Sequence, residues 1–358
     1  MSGTTSPSPA CAAESDSAGA YAAAGVDIAA GERAVDLMRA AVRRTYTPDV
    51  LGGVGGFGGL FRAPGAAGQI LVSSADGVGT KVKVAIALDR HDTIGRDLVH
   101  HCVDDILTLA ARPLFFLDYL GTGQLVPETA AAIVSGLADA CRDHGVALVG
   151  GETAEMPDLY ARGDYDLAGF IVGTVAESDI VDGRTIAAGD AVVGLPSDGL
   201  HTNGYSLARQ ALLEDARMPL DAPVPELGGV TLADALLWPH RCYAPAVLPL
   251  LDLSPTPIKA MAHITGGGFV DNIPRVLPVG VGVVIDKGAW DVPPLFRLIQ
   301  TKGGVAEAEM FRVFNMGMGF VLIVAPREAE AALERLREAG ETACRLGVAV
   351  EGEGVAFV

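Results

Sequence analysis

Glycine-rich turns follow apolar, strand-like runs at several points of the chain, and this repeated junction constrains the fold most strongly. The run at residues 70–74 leads into Asp76-Gly-Val-Gly-Thr-Lys81, and the run at residues 146–149 leads into Gly150-Gly-Glu152. Two later turns, His201-Thr-Asn-Gly204 and His263-Ile-Thr-Gly-Gly-Gly268, precede helix-like runs. Because strands and helices are mixed along the whole chain, the sequence predicts an α/β or α+β fold.

The chain is long enough for two domains, each with its own core. Residues 1–20 are rich in Ser, Ala, Pro and Gly, and they predict a disordered tail rather than a secretory signal. The composition changes near residues 176–190, where Asp182-Gly183 is typical of a turn. We therefore expect an amino-terminal domain over residues 21–176 and a carboxyl-terminal domain over residues 177–358.

Charge and cysteine usage exclude several classes of protein. The chain has 44 acidic and 26 basic residues and a net charge of −18, which argues against nucleic-acid binding. No apolar run approaches the roughly 18 residues of a membrane span, so we expect a soluble, cytoplasmic protein. The five cysteines are scattered without a C-x-x-C pair, which argues against a structural zinc site. Any metal is expected to be a hard ion held by carboxylates.

The segment at residues 51–60 is too glycine-rich for a helix or a strand. Its glycines Gly53, Gly55, Gly56 and Gly58 match the dinucleotide fingerprint G-x-G-x-x-G. That fingerprint requires a preceding strand and a following helix, and neither flank suits one. We expect a flexible lid over phosphates, and the alternative is a loop that binds nothing.

The turn after residues 70–74 combines groups suited to phosphate chemistry. Asp76 can hold Mg²⁺, and the backbone at Gly77, Gly79 and Thr80 can approach phosphate oxygens. Lys81 can neutralise phosphate charge. The alternative is a tight turn followed by a solvated lysine.

An amphipathic helix is predicted over residues 97–111. Asp104 lies opposite its apolar stripe and is expected to face solvent. Asp105 lies at the edge of the stripe, so its carboxylate is expected to be partly buried and to need a metal or a cation as partner. The alternative for Asp105 is an ion pair at the helix edge.

Three further residues are candidates for the site. Glu152 follows a strand directly, where α/β proteins commonly gather ligand groups. His201 and Asn203 lie in a turn before a helix, which is a plausible anion site. The alternatives are a capping role for Glu152 and a structural role for His201.

Read in order, these segments resemble the AIR synthetase family, whose superfamily includes formylglycinamidine ribonucleotide synthetase, thiamine-monophosphate kinase and selenophosphate synthetase. The resemblance extends over roughly residues 21–358. The strings most specific for the family are Gly55-Gly-Phe-Gly58, Gly150-Gly-Glu-Thr-Ala-Glu-Met-Pro157 and His263-Ile-Thr-Gly-Gly-Gly268.

The resemblance implies a homodimer in which amino-terminal domains pair into a β-barrel and carboxyl-terminal α+β domains flank it. It implies ATP and Mg²⁺ as cofactors and formylglycinamidine ribonucleotide as substrate. By position, Asp76 and Asp105 resemble the acids that bind metal and ATP, and His201 and Asn203 lie in the substrate motif. Lys81, Asp105 and His201 are accordingly the catalytic candidates, and Glu152 is placed near the metals.

Three positions depart from the family pattern. Asp104 replaces an Asn, Asp198 replaces a Ser, and Arg43-Arg44 replaces lysines. Two other functions remain open on the sequence: a related small-molecule kinase, and a nucleotide-binding regulator without turnover.

Overall fold

The computed structural model describes residues 19–53 and 55–358 and contains two β-sheets with helices around them. Most of the predicted tail lies outside the described residues, and Ala20 already begins a helix. The helices are α1 (Ala20–Ala23), α2 (Ile28–Arg43), α3 (Lys81–Leu88), α4 (Ile94–Leu107), α5 (Pro127–Asp143), α6 (Tyr205–Arg209), α7 (Leu232–Leu237), α8 (Ala244–Leu251), α9 (Gly268–Asn272), α10 (Pro294–Gly303), α11 (Glu307–Val313) and α12 (Ala329–Glu338).

The strands fall into one group before residue 177 and one after residue 190. They are β1 (Gly59–Arg62), β2 (Gln69–Gly77), β3 (Arg112–Thr122), β4 (Ala147–Glu155), β5 (Tyr165–Ala176), β6 (Ala191–Pro196), β7 (Ile258–His263), β8 (Val281–Ile285), β9 (Met318–Val324), β10 (Cys344–Glu351) and β11 (Gly354–Phe357). The mixture of helices and strands confirms the predicted fold class.

The first sheet has the strand order β1-β2-β5-β3-β4, and its pairs are antiparallel except β3 with β4. Strand β5 alternates strictly, and Leu167 and Ile171 are buried beneath α4. The opposite face carries Phe61 and Phe170, which are exposed. Apolar side chains therefore remain uncovered on one face of this sheet.

The second sheet has the order β11-β8-β10-β6-β9-β7 and is antiparallel except between β8 and β11. Its central strands β6 and β9 are almost wholly buried, as their continuous apolar sequences predict. Strand β7 ends at His263, which places the following glycine turn at one edge of the sheet. No helix among the described residues is long and apolar enough to cross a membrane.

Helix α4 packs against both halves of the molecule, and this corrects the expectation for its polar face. Asp104 is completely buried rather than solvated, and its Oδ1 accepts a hydrogen bond of 2.8 Å from the Tyr243 backbone N–H. Asp97, His101 and Thr108 on the same face are buried as well. The helix has two contact surfaces, one on the first sheet and one on the segment 238–243.

The second surface includes a buried ion pair. The Lys81 ammonium lies 2.9 Å from the Asp97 carboxylate and also donates to the Trp238 carbonyl at 2.7 Å. Asp97 in turn accepts the His240 backbone N–H at 2.6 Å. Burial lowers the pKa of Lys81 and raises that of Asp97, and each charge partly offsets this effect on the other. The pair joins α3 and α4 to the second half of the chain.

We predict that Lys81→Met destabilises the protein by about 3 kcal/mol, because it leaves the Asp97 carboxylate buried without its counter-charge. The measurement is the free energy of unfolding from urea denaturation of purified protein. The double variant Lys81→Met/Asp97→Asn is expected to recover part of the loss, since it removes the unpaired charge.

Lys83→Met is the matched control from the same helix. Lys83 pairs with Asp164 at 2.6 Å, but both side chains are partly exposed, so the expected loss is below about 1 kcal/mol. Similar losses for the Lys81 and Lys83 variants would contradict the proposed importance of the buried pair.

His100 gives α4 a pH-dependent contact. Its Nδ1 lies 2.5 Å from the His240 carbonyl and its Nε2 lies 3.1 Å from His144 Nε2. Burial is the main cause that lowers the pKa of His100 to about 4; the backbone hydrogen bond to His240 and the charge of Asp143 oppose it, and His144 and Arg96 reinforce it.

Because the unfolded chain binds this proton near pH 6.5, His100 stabilises the fold above that pH and loses this contribution as pH falls towards 4. We expect His100 alone to account for a loss of about 2 kcal/mol between pH 7 and pH 5. The measurement compares urea unfolding at both pH values for the wild type and His100→Asn. Equal pH dependence in the two proteins would show that His100 already titrates normally in the folded state.

Candidate functional site

Two carboxylates predicted to act together lie close together in the structure. Asp76 is near the end of β2 and Asp105 is in α4, and an oxygen of each lies within 4.8 Å of the other and of a nitrogen of His101. The Asp76 side chain is 43% exposed and that of Asp105 is 8% exposed. One carboxylate is therefore open to a ligand, and the other lies beneath it.

Asp105 has the partners that its position at the helix edge requires. Ser74 donates its hydroxyl to Asp105 Oδ2 at 2.9 Å, and the His263 ring lies with Nδ1 2.9 Å from Asp105 Oδ1. Ser74 comes from β2 and His263 from the end of β7. The Asp105 carboxylate thus contacts both sheets.

Asp76 lies beside a buried imidazole. His101 Nε2 is 2.8 Å from Asp76 Oδ2. Burial lowers the pKa of His101, but the charges of Asp76, Asp105 and Asp104 outweigh it and raise the pKa to about 9. Burial raises the pKa of Asp76, but His101 and the Gly77 backbone N–H outweigh it, so the net pKa lies below its usual range. The cluster strongly favours positive charge next to its carboxylates.

The glycine turns from both halves converge near these carboxylates. Thr80 Oγ1 lies 3.1 Å from Ser206 Oγ, which joins the turn after β2 to the start of α6. A Cβ on Gly79 would lie 3.7 Å from the Thr202 carbonyl, and one on Gly266 would lie 3.4 Å from Asn203 Nδ2. The turns that contain Gly77, Asn203 and Gly266 are therefore neighbours, as the sequence motifs suggested.

Phe57 anchors the glycine segment at residues 52–59. Gly53, Gly55 and Gly56 are exposed, whereas Phe57 is buried and Arg275 stacks on its ring with a centroid distance of 5.0 Å. A Cβ on Gly58 would lie 3.1 Å from Val72, so the chain passes close to the first sheet there. The exposed glycines flank an aromatic anchor held by the second half of the chain.

The structure places two predicted site residues where they do not fit their predicted roles. Lys81 is fully buried and its ammonium contacts Asp97 and the Trp238 carbonyl, so it is not presented to a phosphate. Glu152 is exposed on the edge strand β4, in register with Tyr119, and within the described residues it is not part of the group around Asp76. Within one chain, therefore, Lys81 does not face an open surface and Glu152 lies outside the group formed by Asp76, His101 and Asp105.

His201 has a left-handed backbone (φ 61°) and is 2% exposed. Its ring stacks on His240 at 3.9 Å, and the Asp198 backbone N–H lies 3.3 Å from its Nε2. Burial and nearby positive charge hold the pKa of His201 well below its usual range, so the ring is neutral at pH 7. His201 supports the turn that carries Asn203, and its ring does not line an open surface.

Sequence reasoning missed His101, His240, His263 and Arg275 as members of this site. His101 lies on the same face of α4 as Asp104, which was expected to face solvent, and His240 has no motif that marks it. His263 could have been found, since it ends a strand immediately before a glycine turn, as Asp76 does. Arg275 could not, because its contact with Phe57 joins residues more than 200 positions apart.

Two family models match the chain. Residues 59–175 match "AIR synthase related protein, N-terminal domain", and residues 187–358 match "AIR synthase related protein, C-terminal domain". A phosphoribosylformylglycinamidine cyclo-ligase of Geobacillus thermodenitrificans is 53% identical over 345 residues, covering 94% of this chain and 97% of the relative. The enzyme of that name from Anaeromyxobacter dehalogenans strain 2CP-C is 53% identical over 341 residues, with 93% and 96% coverage.

Solved structures share the fold at much lower identity. Protein tt0281 of Thermus thermophilus is 20% identical with a TM-score of 0.62, covering 91% of this chain and 95% of that one. AaThiL complexed with AMPPCP and TMP is 16% identical with a TM-score of 0.61, covering 90% and 92%. The hydrogenase maturation protein HypE of E. coli is 21% identical with a TM-score of 0.59, covering 80% and 82%.

We predict that Gly319→Ala disrupts the support of the His201 turn. A Cβ at this position would overlap Tyr243 Oη and His201 Cε1, and neither aromatic ring can move freely in the core. The expected destabilisation is about 1–3 kcal/mol, measured by urea unfolding. Gly31→Ala is the control, since nothing lies within 4 Å of its added Cβ in helix α2, and it should be neutral or stabilising. Equal stability of the two variants would contradict close packing at Gly319.

Proposed function

The chain belongs to the AIR synthase related family, and we propose that it is an ATP-dependent cyclo-ligase that closes the imidazole ring of formylglycinamidine ribonucleotide in purine biosynthesis. ATP phosphorylates the formyl oxygen of the substrate and releases ADP. The amidine nitrogen then attacks the same carbon, and phosphate leaves as the ring closes. The product is aminoimidazole ribonucleotide.

The observation that carries this proposal is the convergence of Asp76, Asp105 and glycine turns from both halves of the chain. Phosphoryl transfer depends mainly on positioning and on neutralising charge, and this arrangement supplies both. The comparisons support the choice of reaction, because relatives with the cyclo-ligase name match nearly the whole chain at 53% identity.

The donor set at Asp76 and Asp105 fits Mg²⁺, a hard cation that takes oxygen ligands. Asp76 presents an exposed carboxylate oxygen, and Asp105 lies behind it, fixed by Ser74 and His263. When bound, Mg²⁺ would neutralise the phosphate oxygens and orient them. The protein itself contributes the two carboxylates and the backbone N–H groups of the adjoining glycine turns.

The turns divide the binding tasks between the two halves. The backbone N–H groups of Gly79 and Thr80 are placed at the phosphate oxygens, because a glycine lets the backbone approach closely. The Gly77 N–H donates to Asp76 Oδ1 at 2.6 Å and orients that carboxylate. We place the exposed glycines Gly53, Gly55 and Gly56 over the phosphates as a lid, with Phe57 as its anchor. Asn203, whose side chain lies beside Gly266, is placed on the substrate side.

We further propose that the chain works as a homodimer through its first sheet. Phe61 and Phe170 are exposed on the face that no helix of the described chain covers, and β4 is an open edge with Val149 exposed. Burial of such a face against a second copy would stabilise the pair by the hydrophobic effect. Glu152 lies on that edge strand, so in a dimer it could lie near ligand groups of the second copy.

The test is phosphate release from ATP in the presence of Mg²⁺, with and without formylglycinamidine ribonucleotide. We expect release to depend on that substrate and a ring-closed product to appear in equal amount. A stable phosphorylated compound in place of the ring would indicate a small-molecule kinase, and binding of ATP without turnover would indicate a regulator.

Asp105→Asn and Asp104→Asn form a matched pair of variants on one helix. Asp105→Asn is expected to lower kcat/KM by at least about 100-fold, because it removes a carboxylate charge from the site proposed for Mg²⁺. Asp104→Asn should stay close to wild type, since an amide oxygen can still accept the Tyr243 N–H. Equal losses in the two variants would contradict the assignment of Asp105.

A further inference from the structure

Three buried imidazoles meet where the two halves of the chain touch. They are His101 from α4, His240 from the segment after α7, and His263 from β7, and each is at most 1% exposed. One ring nitrogen from each lies within 4.8 Å of the corresponding nitrogens of the other two. The cyclo-ligase reaction proposed above uses none of these nitrogens.

The outer nitrogens of two rings fix where their protons lie. His240 Nδ1 is 2.8 Å from the Arg241 carbonyl, which can only accept, so this nitrogen carries hydrogen. His263 Nδ1 is 2.9 Å from the Asp105 carboxylate and carries hydrogen for the same reason. In the neutral ring the other nitrogen then presents a lone pair.

Those two lone pairs face each other. His240 Nε2 and His263 Nε2 are 3.2 Å apart, a repulsive contact unless a positive charge lies beside them. Two nitrogens bound to one tetrahedral Zn²⁺ at about 2.0–2.1 Å are separated by about 3.4 Å. The observed separation therefore suits shared coordination.

His101 contributes the third nitrogen, and a bound metal would displace the proton that the neighbouring carboxylates favour on this ring. Its Nδ1 is hydrogen-bonded to Thr202 Oγ1 at 2.7 Å. Its Nε2 is buried and, although 2.8 Å from Asp76 Oδ2, is not aligned for a hydrogen bond to any residue that the structure describes. A metal-binding histidine commonly has its other nitrogen held by a carboxylate, a carbonyl or another polar group, and all three rings do.

We propose that His101, His240 and His263 form a binding site for a divalent transition-metal ion, with Zn²⁺ as the expected occupant. Imidazole nitrogens favour Zn²⁺ and its neighbours in the periodic table over Mg²⁺. Three protein ligands leave one position for a water molecule or a ligand oxygen. The ion would join α4 to the second half of the chain, next to the carboxylates of the phosphate site. This ligand set differs from the carboxylate-only metal site that the sequence predicted.

The first test uses the full-length wild type. Protein freed of metal with a chelator is loaded with Zn²⁺, separated from excess ion and analysed for metal content and by X-ray absorption. We expect one Zn²⁺ per chain and a scattering pattern from three imidazoles. Loading with Co²⁺ should give the intense visible absorption of a four-coordinate ion. No retained metal, or an ion with at most one imidazole, would overturn the proposal.

Two groups of possible metal ligands share His101: the three histidines, and the group of Asp76, His101 and Asp105. Variants distinguish between these groups. His240→Gln removes one imidazole but keeps Asp76, His101 and Asp105, and it should weaken Zn²⁺ affinity by more than about 10-fold and abolish the Co²⁺ absorption. Asp76→Asn should retain both. His91→Asn is the control, a histidine outside the cluster that contacts Tyr165.

Each other result has a defined meaning. Unchanged Zn²⁺ affinity in His240→Gln, with loss in Asp76→Asn, would place the ion on the carboxylates and overturn the histidine site. If His240→Gln fails to fold, the count of imidazoles in the wild type still decides. These readouts do not depend on catalysis, so failure of the cyclo-ligase assay would leave the metal result intact.

Discussion

The contact between the polar face of α4 and the segment 238–243 determines the geometry of the whole site. The Lys81–Asp97 pair, the Asp104 carboxylate and His100 each bind backbone groups of this segment. Because α4 also carries Asp105 and His101, fixing the segment on one side of the helix places His240 beside those residues. A buried ion pair is weak evidence of net stability. Its role here is to favour one arrangement of the two halves of the chain over others.

The site combines two kinds of ligand group in a small volume. Exposed Asp76 and the glycine turns suit an ion and a phosphate that arrive from solvent, whereas Asp105 and the three imidazoles are enclosed. Positive charge is favoured between Asp76 and His101, as the raised pKa of His101 and the lowered pKa of Asp76 indicate. This preference for positive charge contrasts with the net charge of −18 of the whole chain. The net charge affects the rate at which anions approach more than the contacts they make in the site.

The sequence predicted local features better than contacts between distant segments. The fold class, the glycine turn after His263 and the proximity of Asp76 and Asp105 followed from short patterns, whereas the predicted turn at Gly150-Gly151 lies inside β4. The burial of Asp104 did not, because helical periodicity identifies one apolar stripe and cannot reveal a second surface made by residues about 140 positions away. The same reason explains Lys81, which was predicted to bind phosphate but binds Asp97. Glu152 was predicted to follow a strand directly, but it lies inside β4, and the sequence did not show that this strand forms an edge of the sheet.

The contacts that build this site join residues very far apart in the sequence. Lys81 and Trp238 are separated by 157 positions, Asp105 and His263 by 158, and Tyr21 donates its backbone N–H to Glu309 across 288. Such closures are slow, because the chain must lose much entropy before they form. During synthesis the first sheet can assemble on the ribosome well before β7 emerges. Until then α4 would expose its charged face to water, so the newborn amino-terminal half must tolerate a hydrated form of a surface that the finished protein keeps dry.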